Sequence, residues 1–433
     1  MEGERSLPLR SRSAAVDASM DVLCDTLMVE EVLPRLLPKS LICLGAVSRR
    51  YHALTLRPDF AARYWPRAGV FLQPIGIYEE LRPRFLTGSV SREPSTESFS
   101  GADLSFLPGP SAREKDYLRR VGAQSGIVLM HSTAGLLLCS RGRIHPVHFY
   151  VCNPVTWQWV ALPELPWPSH QWQSGLLTVD TKGDGAVERF KVVLFNHPIH
   201  WRDEGGCFDL RLFSSDTGLW EIMRLQPPVP TGVGLYLTLL GQSGTVYWSQ
   251  YTLNGHTLAY NSENHTFRFI PLPDRGADGQ WNWIIGEDKR GGLRFARSNS
   301  SVLEVWNTQK ESGDGMWMLV QRVSIAELLE RNPQVDAFLC CKLQKDYDAL
   351  INRNQCLKLL SFHPTNDDII FLRMPGALAS CSVKHGTMNL QCTYKSSSEP
   401  SDSDMYPYVH PSYQVKIPAI KNSNPASVKL NHS

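Results

Sequence analysis

The apolar positions near the start of the chain recur at the spacing of an α-helix. Leu37, Leu41, Leu44 and Val47 follow one another at steps of four, three and three, which places them along one stripe of a helix. Pro38 suits the first position of that helix, because the N–H that proline lacks would have no partner there. We therefore predict a helix that begins at Pro38, the second of three short helices within residues 21–66.

The helices on either side of it are also indicated by the sequence. Asp25 is a suitable cap for a first helix, and Pro34 inside that helix removes a hydrogen bond and should kink it. A third helix holds Tyr51 and Leu54 and ends before Pro58. Three short helices bury little surface by themselves. They must therefore pack either on the domain that follows or on another protein, and the sequence leaves both open.

Residues 67–120 are predicted to be a linker with partly ordered segments. Ser, Gly, Pro and charged residues dominate the stretch from Thr87 to Glu114, as is typical of loops. Its one apolar island is Ser105-Phe106-Leu107-Pro108, which we expect to contact a neighbouring domain.

Residues 121–395 show short apolar strands separated by polar turns, with an aromatic residue soon after a turn in each repeat. The repeats are marked by Trp159, Trp220, Phe267 and Trp317, with Met388 at the corresponding place in the last unit. A period of about 50 residues with loop insertions is typical of four-stranded kelch-type propeller blades. The sequence thus predicts an α+β chain of two domains, in which a helical bundle precedes an all-β propeller of five to seven blades. A non-repeating β-sandwich is the alternative.

Two further segments complete the predicted organisation. The sequence SIAELLERN, which starts at Ser324, predicts a surface helix inserted between two blades. Residues 396–433 form a tail whose middle, from Tyr406 to Ile417, is aromatic and proline-rich. That part is expected either to lie over the propeller or to supply its closing strand, and the last dozen residues are expected to be disordered.

Composition excludes several classes of protein. The chain has 433 residues, with 44 basic against 42 acidic residues, so its net charge gives no argument for binding nucleic acid or a membrane surface. None of the ten cysteines forms a C-x-x-C pair, which makes a zinc site of the usual spacing improbable. The first twenty residues contain no apolar segment typical of a secretory leader, and no apolar run reaches membrane-spanning length, so we expect neither a leader nor a membrane span. We expect a cytoplasmic or nuclear location.

The sequence shows no recognisable motif for catalysis, for metal binding or for cofactor binding, and we predict none of the three. Two loops combine Trp, His and Arg, residue types that suit partner recognition. We assign them to binding of a protein substrate, with the alternative that Trp167 and Trp172 fill gaps between blades. The candidate substrate-binding residues are Trp167, His170, Trp172, His197, His200 and Trp201.

The N-terminal helices resemble an F-box, a three-helix motif of about 45 residues. The resemblance rests on Leu23, Val32-Leu33, Leu37-Pro38, Leu41, Val47-Ser48-Arg49-Arg50, Leu54 and Phe60. Two positions depart from the pattern, since Cys24 replaces a proline and Tyr51 replaces the usual tryptophan.

The remainder is similar to the F-box-associated propellers of the large plant families, through stretches such as CNPVTWQWVALP, LFSSDTGLWE and SFHPTNDDIIFL. The resemblance implies a non-catalytic subunit of a cullin–RING ubiquitin ligase, which docks a Skp-type adaptor and recruits a protein target. The implied adaptor-binding residues are Leu23, Leu27, Val32, Leu33, Leu36, Leu37, Pro38, Leu41, Leu44, Val47, Ser48, Tyr51 and Leu54. The alternatives are a propeller scaffold with a degenerate F-box and, less favoured, a kelch-like propeller enzyme.

Overall fold

The computed structural model describes the following parts of the chain: residues 23–36, 38–55, 57, 60, 68–73, 82–88, 102–110, 115–116, 126–142, 146, 148–165, 173–182, 187–196, 207–228, 236–249, 255–273, 281–288, 291–308, 316–343, 356–394, 404–411, 415–421 and 429–430. Within these residues the strands form six separate sheets, and the sheets form a six-blade β-propeller. This number lies within the predicted range of five to seven.

Four complete blades have four antiparallel strands, and a fifth has four antiparallel strands plus one short parallel strand. In each of them the first strand is the innermost and the fourth lies towards the perimeter, as a propeller requires. Blade 2 contains β3 (Ile127–Thr133), β4 (Leu136–Arg141), β5 (Phe149–Asn153) and β6 (Gln158–Ala161). Blade 3 contains β7 (Gln173–Thr181), β8 (Val187–Asn196), β9 (Phe208–Ser214) and β10 (Leu219–Leu225), with β24 (Lys429–Leu430) added outside β10.

The remaining complete blades follow in chain order. Blade 4 contains β11 (Tyr236–Leu240), β12 (Thr245–Ser249), β13 (His256–Asn261) and β14 (Thr266–Pro271). Blade 5 contains β15 (Asn282–Glu287), β16 (Leu293–Ser298), β17 (Val302–Thr308) and β18 (Trp317–Ser324). Blade 6 contains β19 (Lys358–Phe362), β20 (Ile369–Met374), β21 (Ala377–Ser382) and β22 (Thr387–Thr393).

The residues that mark the sequence repeat occupy equivalent places in the fold. Each lies at the first or second position of the fourth strand of its blade: Trp159, Trp220, Phe267, Trp317 and Met388. Two of the tryptophans also join neighbouring blades. The indole Nε1 of Trp220 donates to the carbonyl of Pro163 at 2.9 Å, and that of Trp317 donates to the carbonyl of Pro271 at 2.6 Å. The repeat therefore records both the position of the outer strand and contacts between blades.

The turn that precedes the fourth strand has a recurring geometry. In blade 2 the side chain of Asn153 accepts hydrogen bonds from the backbone N–H groups of Val155 and Thr156, which shapes the turn locally. The last residue of the turn adopts a left-handed backbone, with φ of +60° at Trp157 and +68° at Gly218. The polar side chain at the start of the turn thus fixes the conformation of the turn that leads into the fourth strand. This explains why polar turn residues recur in the sequence.

Blade 1 closes the ring with strands from both ends of the described chain. Its order is β2 (Arg84–Leu86), β1 (Ala68–Leu72) and β23 (Met405–Val409), all antiparallel. The first two strands lie within the segment predicted as linker, and the third lies within the predicted tail. Since β23 contacts the innermost strands of blades 2 and 6, pairing between β1 and β23 joins the first and last parts of the propeller.

Aromatic packing and one amide side chain reinforce this closure. The buried ring of Tyr408 lies edge-on to Phe71 at 5.2 Å and to Phe85 at 5.8 Å between ring centroids. Gln73 lies just after β1, and its side chain donates to the carbonyl of Ile127 and accepts from the N–H of Leu129, each at 2.8 Å. These contacts attach blade 1 to blade 2.

The N-terminal part contains three helical segments. The first, α1, is Asp25–Leu27 and continues as a π-helix at Met28–Val32 and a 3₁₀ turn at Leu33–Arg35. Pro34 lies within the 3₁₀ turn, one residue after the helix changes type, and the kink predicted there stays a prediction. The other two are α2 (Pro38–Val47) and α3 (Arg49–Thr55), which pack against each other.

Two more helices, α4 (Ile325–Arg331) and α5 (Pro333–Leu343), follow blade 5. The first confirms the helix predicted at Ser324, whose side chain accepts a hydrogen bond from the N–H of Glu327 and so caps it. Between the two helices the buried Asn332 donates to the carbonyls of Leu328 and Gly386 and accepts from the N–H of Met388. The helix pair is thereby attached to the outer part of blade 6.

Candidate protein-binding surfaces

The start of α1 is held by a residue from α3. The guanidinium of Arg50 donates to Asp25 Oδ1 from Nε at 2.9 Å and from Nη2 at 2.8 Å, and it also bonds the carbonyl of Leu23. The prediction that Asp25 caps the helix was wrong. The cap is Cys24, whose sulfur accepts from the N–H of Leu27 at 3.5 Å, and Asp25 instead neutralises Arg50.

The predicted adaptor-binding residues divide into buried and accessible groups. Leu33, Leu41, Tyr51 and Leu54 are buried within the chain. Leu23, Val32, Leu36, Leu44 and Ser48 are partly buried. Leu27 and Val47 are exposed, at 43% and 81% of their surface. Leu37 lies outside the described residues, and Pro38 begins α2 as predicted.

The buried group belongs to a cluster that spans two parts of the molecule. Met28, Leu33, Leu41 and Tyr51 share one continuous apolar cluster with residues of blades 1 and 2, among them Leu129. The helices thus bury one side in the core of their own chain. The sequence left open whether they pack on the following domain or on another protein, and for these residues the first alternative is what the structure contains.

Helix α2 has a second apolar face that remains accessible. Cys43 and Val47 are one turn apart and are both exposed, whereas Leu41 is buried, so the predicted stripe runs from a buried end at Leu41 to an exposed end at Val47. An exposed valine on a helix that is apolar nearly all round has no role in the core of the chain. Leu27 on α1 and Ala46 on α2 are exposed as well, and we refer to the exposed apolar residues of these two helices together as the outer helical face (Leu27, Cys43, Ala46 and Val47).

A short segment between β2 of blade 1 and β3 of blade 2 belongs to the same cluster. Ala102, Leu104 and Leu107 are buried in it, and Phe106 stacks on Trp157 of blade 2 with centroids 6.3 Å apart. This confirms that the predicted apolar island contacts a neighbouring domain. The Arg141 guanidinium also bonds the carbonyl of Pro108, so the segment is attached to blade 2 through both apolar and polar contacts.

The two loops predicted to bind a substrate lie outside the described residues. This applies to all six candidates: Trp167, His170, Trp172, His197, His200 and Trp201. Their assignment stays a prediction.

The axis of the propeller is bridged by side chains of opposite blades. Gln242, in the turn between the first two strands of blade 4, donates from Nε2 to the carbonyl of Pro407 in blade 1 at 3.0 Å. Its own carbonyl accepts from the Thr133 hydroxyl of blade 2 at 3.4 Å. In a ring of six, blades 1 and 4 face each other, so this turn reaches across the axis at one end of the ring.

A buried histidine lies beside this bridge. His131 on β3 accepts a hydrogen bond at Nδ1 from the N–H of Leu177 in blade 3 at 3.1 Å. Burial lowers the pKa of His131 to about 4, and the nearby backbone of Gly241 and Leu240 offsets only part of that effect. The ring is therefore neutral at physiological pH and joins blades rather than supplying a proton. Among the described residues no group of three or more His, Cys, Asp or Glu could hold a metal ion.

Sequence analysis did not find the most concentrated exposed apolar patch on the propeller. Met316, Met318, Leu319 and Val320 are 39–60% exposed at the perimeter of blade 5, and Phe269 of blade 4 is 45% exposed. The signal that could have revealed it is the run MWMLV, in which no polar residue alternates with the apolar ones. Within the described residues, every helix is too short or too polar to span a membrane.

Comparison with known proteins gives a consistent result. Residues 115–415 match the family model described as "F-box protein At3g26010-like, beta-propeller". The chain is 26% identical to the F-box protein At5g03970 of Arabidopsis thaliana, over 73% of this chain and 72% of that protein. It is 24% identical to the F-box protein At5g07610 of the same plant, over 75% of each.

A third relative carries a name that describes the repeat. The putative F-box/kelch-repeat protein At1g15680 of Arabidopsis thaliana is 28% identical over 41% of this chain and 45% of its own length. The family match covers more than half of the chain and includes the main strands of blades 2 to 6 together with β23 of blade 1. The chain therefore belongs to the F-box protein At3g26010-like β-propeller family of plant F-box proteins.

Proposed function

We propose that the chain is the substrate-receptor subunit of a Skp–cullin–F-box ubiquitin ligase. The N-terminal helices would act as the F-box that docks a Skp-type adaptor, and the propeller would capture a protein target for ubiquitin transfer. The names of the relatives support a protein-interaction module and suggest a non-catalytic adaptor role. No cofactor is required for this role.

The observation that carries the proposal is the exposure of Val47. Val47 is 81% exposed on α2, and together with the exposed Leu27, Cys43 and Ala46 it leaves apolar surface on the helices that the chain itself does not cover, as an intermolecular contact requires. Covering Val47 and the rest of Leu27 would contribute only ~2 kcal/mol before the costs of association. The adaptor must therefore also contact the partly buried residues of the predicted set, such as Leu36 and Leu44.

Two variants of the full chain test the proposal by co-purification with a Skp-type adaptor. Leu27→Asp with Val47→Asp places charges on the outer helical face, and we expect the captured adaptor to fall by more than about tenfold, since a buried unpaired charge costs several kcal/mol. Met318→Asp with Leu319→Asp makes the same chemical change at side chains that are each 46% exposed on blade 5, and it should leave capture unchanged. Equal capture by all three proteins would contradict the proposal.

The sequence also suggests a variant that keeps the helical surface apolar. Replacing Leu37 and Pro38 together with Ala should abolish co-purification of the adaptor and leave the propeller folded, because Pro38 fixes where α2 begins. The circular dichroism of the β-structure serves as the control. Retention of the adaptor by this variant would argue against an F-box.

A second function is favoured by one specific observation. Tyr51, which replaces the usual F-box tryptophan, is buried within the chain together with Leu33, Leu41 and Leu54. Residues committed to the chain's own core are less available to an adaptor. The alternative is a propeller scaffold whose helices have become part of its own structure, and it predicts that the wild-type chain does not capture an adaptor.

A further inference from the structure

One side of blade 5 carries an ordered group of aromatic and charged side chains. The guanidinium of Arg297 lies over two indole rings, with its carbon 4.1 Å from the ring centroid of Trp281 and 5.0 Å from that of Trp306. Its Nε donates to Glu304 Oε2 at 2.8 Å. Trp306 also packs against the apolar cluster that blades 4 and 5 share, so the group lies on the side of blade 5 that faces blade 4.

A β-bulge in the outer strand of blade 5 brings two more residues to the same side. In the pairing of β17 with β18, Leu319 lies opposite Trp306 and Arg322 lies opposite Glu304, and the register shifts between these two pairs. Residues directly opposite each other in an antiparallel pair lie on the same face of the sheet. The bulge therefore places Leu319 and Arg322 on one face although they are three residues apart, as bulges that re-aim a side chain do.

The side chains of this surface combine a fixed base with an accessible outer part. The side chains of Arg297 and Glu304 are only 15% and 6% exposed, whereas Arg322 is 66% exposed and Leu319 is 46% exposed. Leu319 and Arg322 are thus presented on a preorganised support, which lowers the cost of ordering them in a complex. We call this surface the blade 5 platform, and its members are Trp281, Arg297, Glu304, Trp306, Leu319 and Arg322.

The platform carries more positive than negative charge. Arg297 and Arg322 share the single carboxylate of Glu304, since Arg297 binds Oε2 and Arg322 Nε lies 3.4 Å from Oε1. The closer contact with Arg297 is enough to balance the charge of Glu304, so the charge of Arg322 is in excess. Because Arg322 uses its Nε towards Glu304, the N–H groups of its two Nη atoms can bind a second carboxylate.

We propose that the blade 5 platform binds an extended segment of a partner protein, in which an acidic residue pairs with Arg322 and an apolar side chain packs on Leu319 and Trp306. The pair of Leu319 with Trp306 and the pair of Arg322 with Glu304 are two positions apart along β17, which corresponds to about 7 Å. An extended segment covers that distance in two residues. The acidic and the apolar residue of the partner are therefore expected at positions i and i+2.

The chemistry of the platform favours an acidic protein segment over other occupants. Tryptophan and arginine are the residue types that contribute most to protein interfaces. A nucleic acid needs several basic side chains along a groove, whereas Arg322 adjoins the exposed apolar side chains of Met318 and Leu319. In a two-fold contact between two copies of the chain the same patch lies on both sides, so the excess positive charge would face itself. This assignment rests on the target-binding role proposed for the propeller and adds the surface and the class of segment bound.

Selection of peptides on the full chain tests the proposal. Random ten-residue peptides displayed on phage are enriched on the immobilised chain, and the enriched peptides are synthesised with a fluorescent label. We expect them to carry an acidic residue and, two positions further on, an apolar one. Fluorescence polarisation then measures their affinity for the wild type, Arg322→Gln and Leu319→Ser, and each substitution should weaken binding about fivefold, because both contacts are partly exposed to solvent.

A second exposed arginine provides the matched control. Arg224 is 63% exposed on the outer strand of blade 3 and also lies beside one carboxylate, that of Asp209. Arg224→Gln makes the same chemical change there and should leave peptide affinity unchanged. A double-mutant cycle assigns the contact of the acidic residue. Replacing that residue of the peptide by its amide should weaken binding to the wild type about fivefold and have no further effect on Arg322→Gln.

The outcomes separate this surface from others on the chain. Enrichment of no peptide, or peptides whose affinity both Arg322→Gln and Leu319→Ser leave unchanged, would overturn the proposal and leave Arg322 as a charge that keeps an edge strand from pairing. Additive effects in the cycle would contradict the pairing of the acidic residue with Arg322. Since no adaptor is present, such a failure leaves adaptor docking untouched. A wild-type chain that binds these peptides but captures no adaptor would instead refute the receptor proposal alone.

Discussion

The propeller and the N-terminal helices satisfy their apolar and polar groups in different ways. In the propeller, six sheets close into a ring through the pairing of β1 with β23, and the buried aromatic residues of neighbouring blades contact one another. The helices are short, the first changes helical type twice, and Val47 and Leu27 remain exposed. The comparison indicates that the propeller closes its own ring and shares one apolar cluster with the inner side of the helices, whereas the outer helical face is suited to a partner.

The largest effect should come from opening the ring. Tyr408→Ala removes a fully buried ring that contacts Phe71 and Phe85 across the junction between β1 and β23. We expect the free energy of unfolding to fall by about 3–5 kcal/mol, as is usual for a large buried side chain replaced by alanine. Denaturant titration measures it. Phe269→Ala replaces a ring that is 45% exposed and should lower the free energy of unfolding by less than ~1 kcal/mol. Equal losses in the two variants would contradict the expectation that the contacts between β1 and β23 stabilise the fold.

A loss of stability of intermediate size is expected when the pH is lowered, because unfolding allows His131 to take up a proton. The pKa of His131 is about 4 in the folded protein and 6.5 as its ordinary value, so the unfolded chain binds a proton that the folded one excludes. Stability attributable to this group is complete above pH 6.5 and decreases as the pH falls towards 4. Between pH 7 and pH 5 we expect a loss of roughly 2 kcal/mol, which denaturant titration at the two pH values measures.

A variant assigns that loss to the histidine. His131→Gln retains an acceptor for the N–H of Leu177 but cannot be protonated in this range, so it should be less stable at pH 7 and show a smaller loss at pH 5. The same pH dependence in variant and wild type would mean that other groups control acid sensitivity.

The smallest effect concerns the helices. Arg50 is 29% exposed and bonds both Asp25 and the carbonyl of Leu23, so Arg50→Ala should cost about 1 kcal/mol. Arg35, 77% exposed and paired with Glu31, provides the control, and Arg35→Ala should cost less than ~0.5 kcal/mol. Amide exchange across residues 23–55 measures both. A larger loss from Arg35 would contradict the assignment of Arg50 as the residue that holds α1.

The same comparison shows which parts of the fold sequence patterns can reveal. Trp220 and Trp317 mark outer strands because they follow a local turn and belong to a repeat that tolerates loop insertions, and both properties can be recognised along the chain. Blade 1 has no such signal, since its strands come from distant parts of the sequence and one of them has only three residues. Its existence depends on ring closure, which is a long-range property.

For the candidate binding surfaces too, features with a local cause could be predicted and features that depend on long-range contacts could not. The position of Pro38 at the start of α2 could be predicted, because proline at that place has a local physical reason. The role of Asp25 could not, since its partner Arg50 lies 25 residues away and is brought close only by the packing of α3. Nor could local spacing show that Tyr51 and Leu54 contribute to a core shared with the propeller.

The most direct test of the account measures which surface a Skp-type adaptor covers on the intact chain. Amide hydrogen exchange is followed with and without the adaptor, for the helices and for every blade. When the adaptor is bound, we expect slower amide hydrogen exchange within residues 38–55, which include Val47, and unchanged exchange in blades 4 to 6. Unchanged exchange throughout residues 23–55, or protection confined to the propeller, would contradict it.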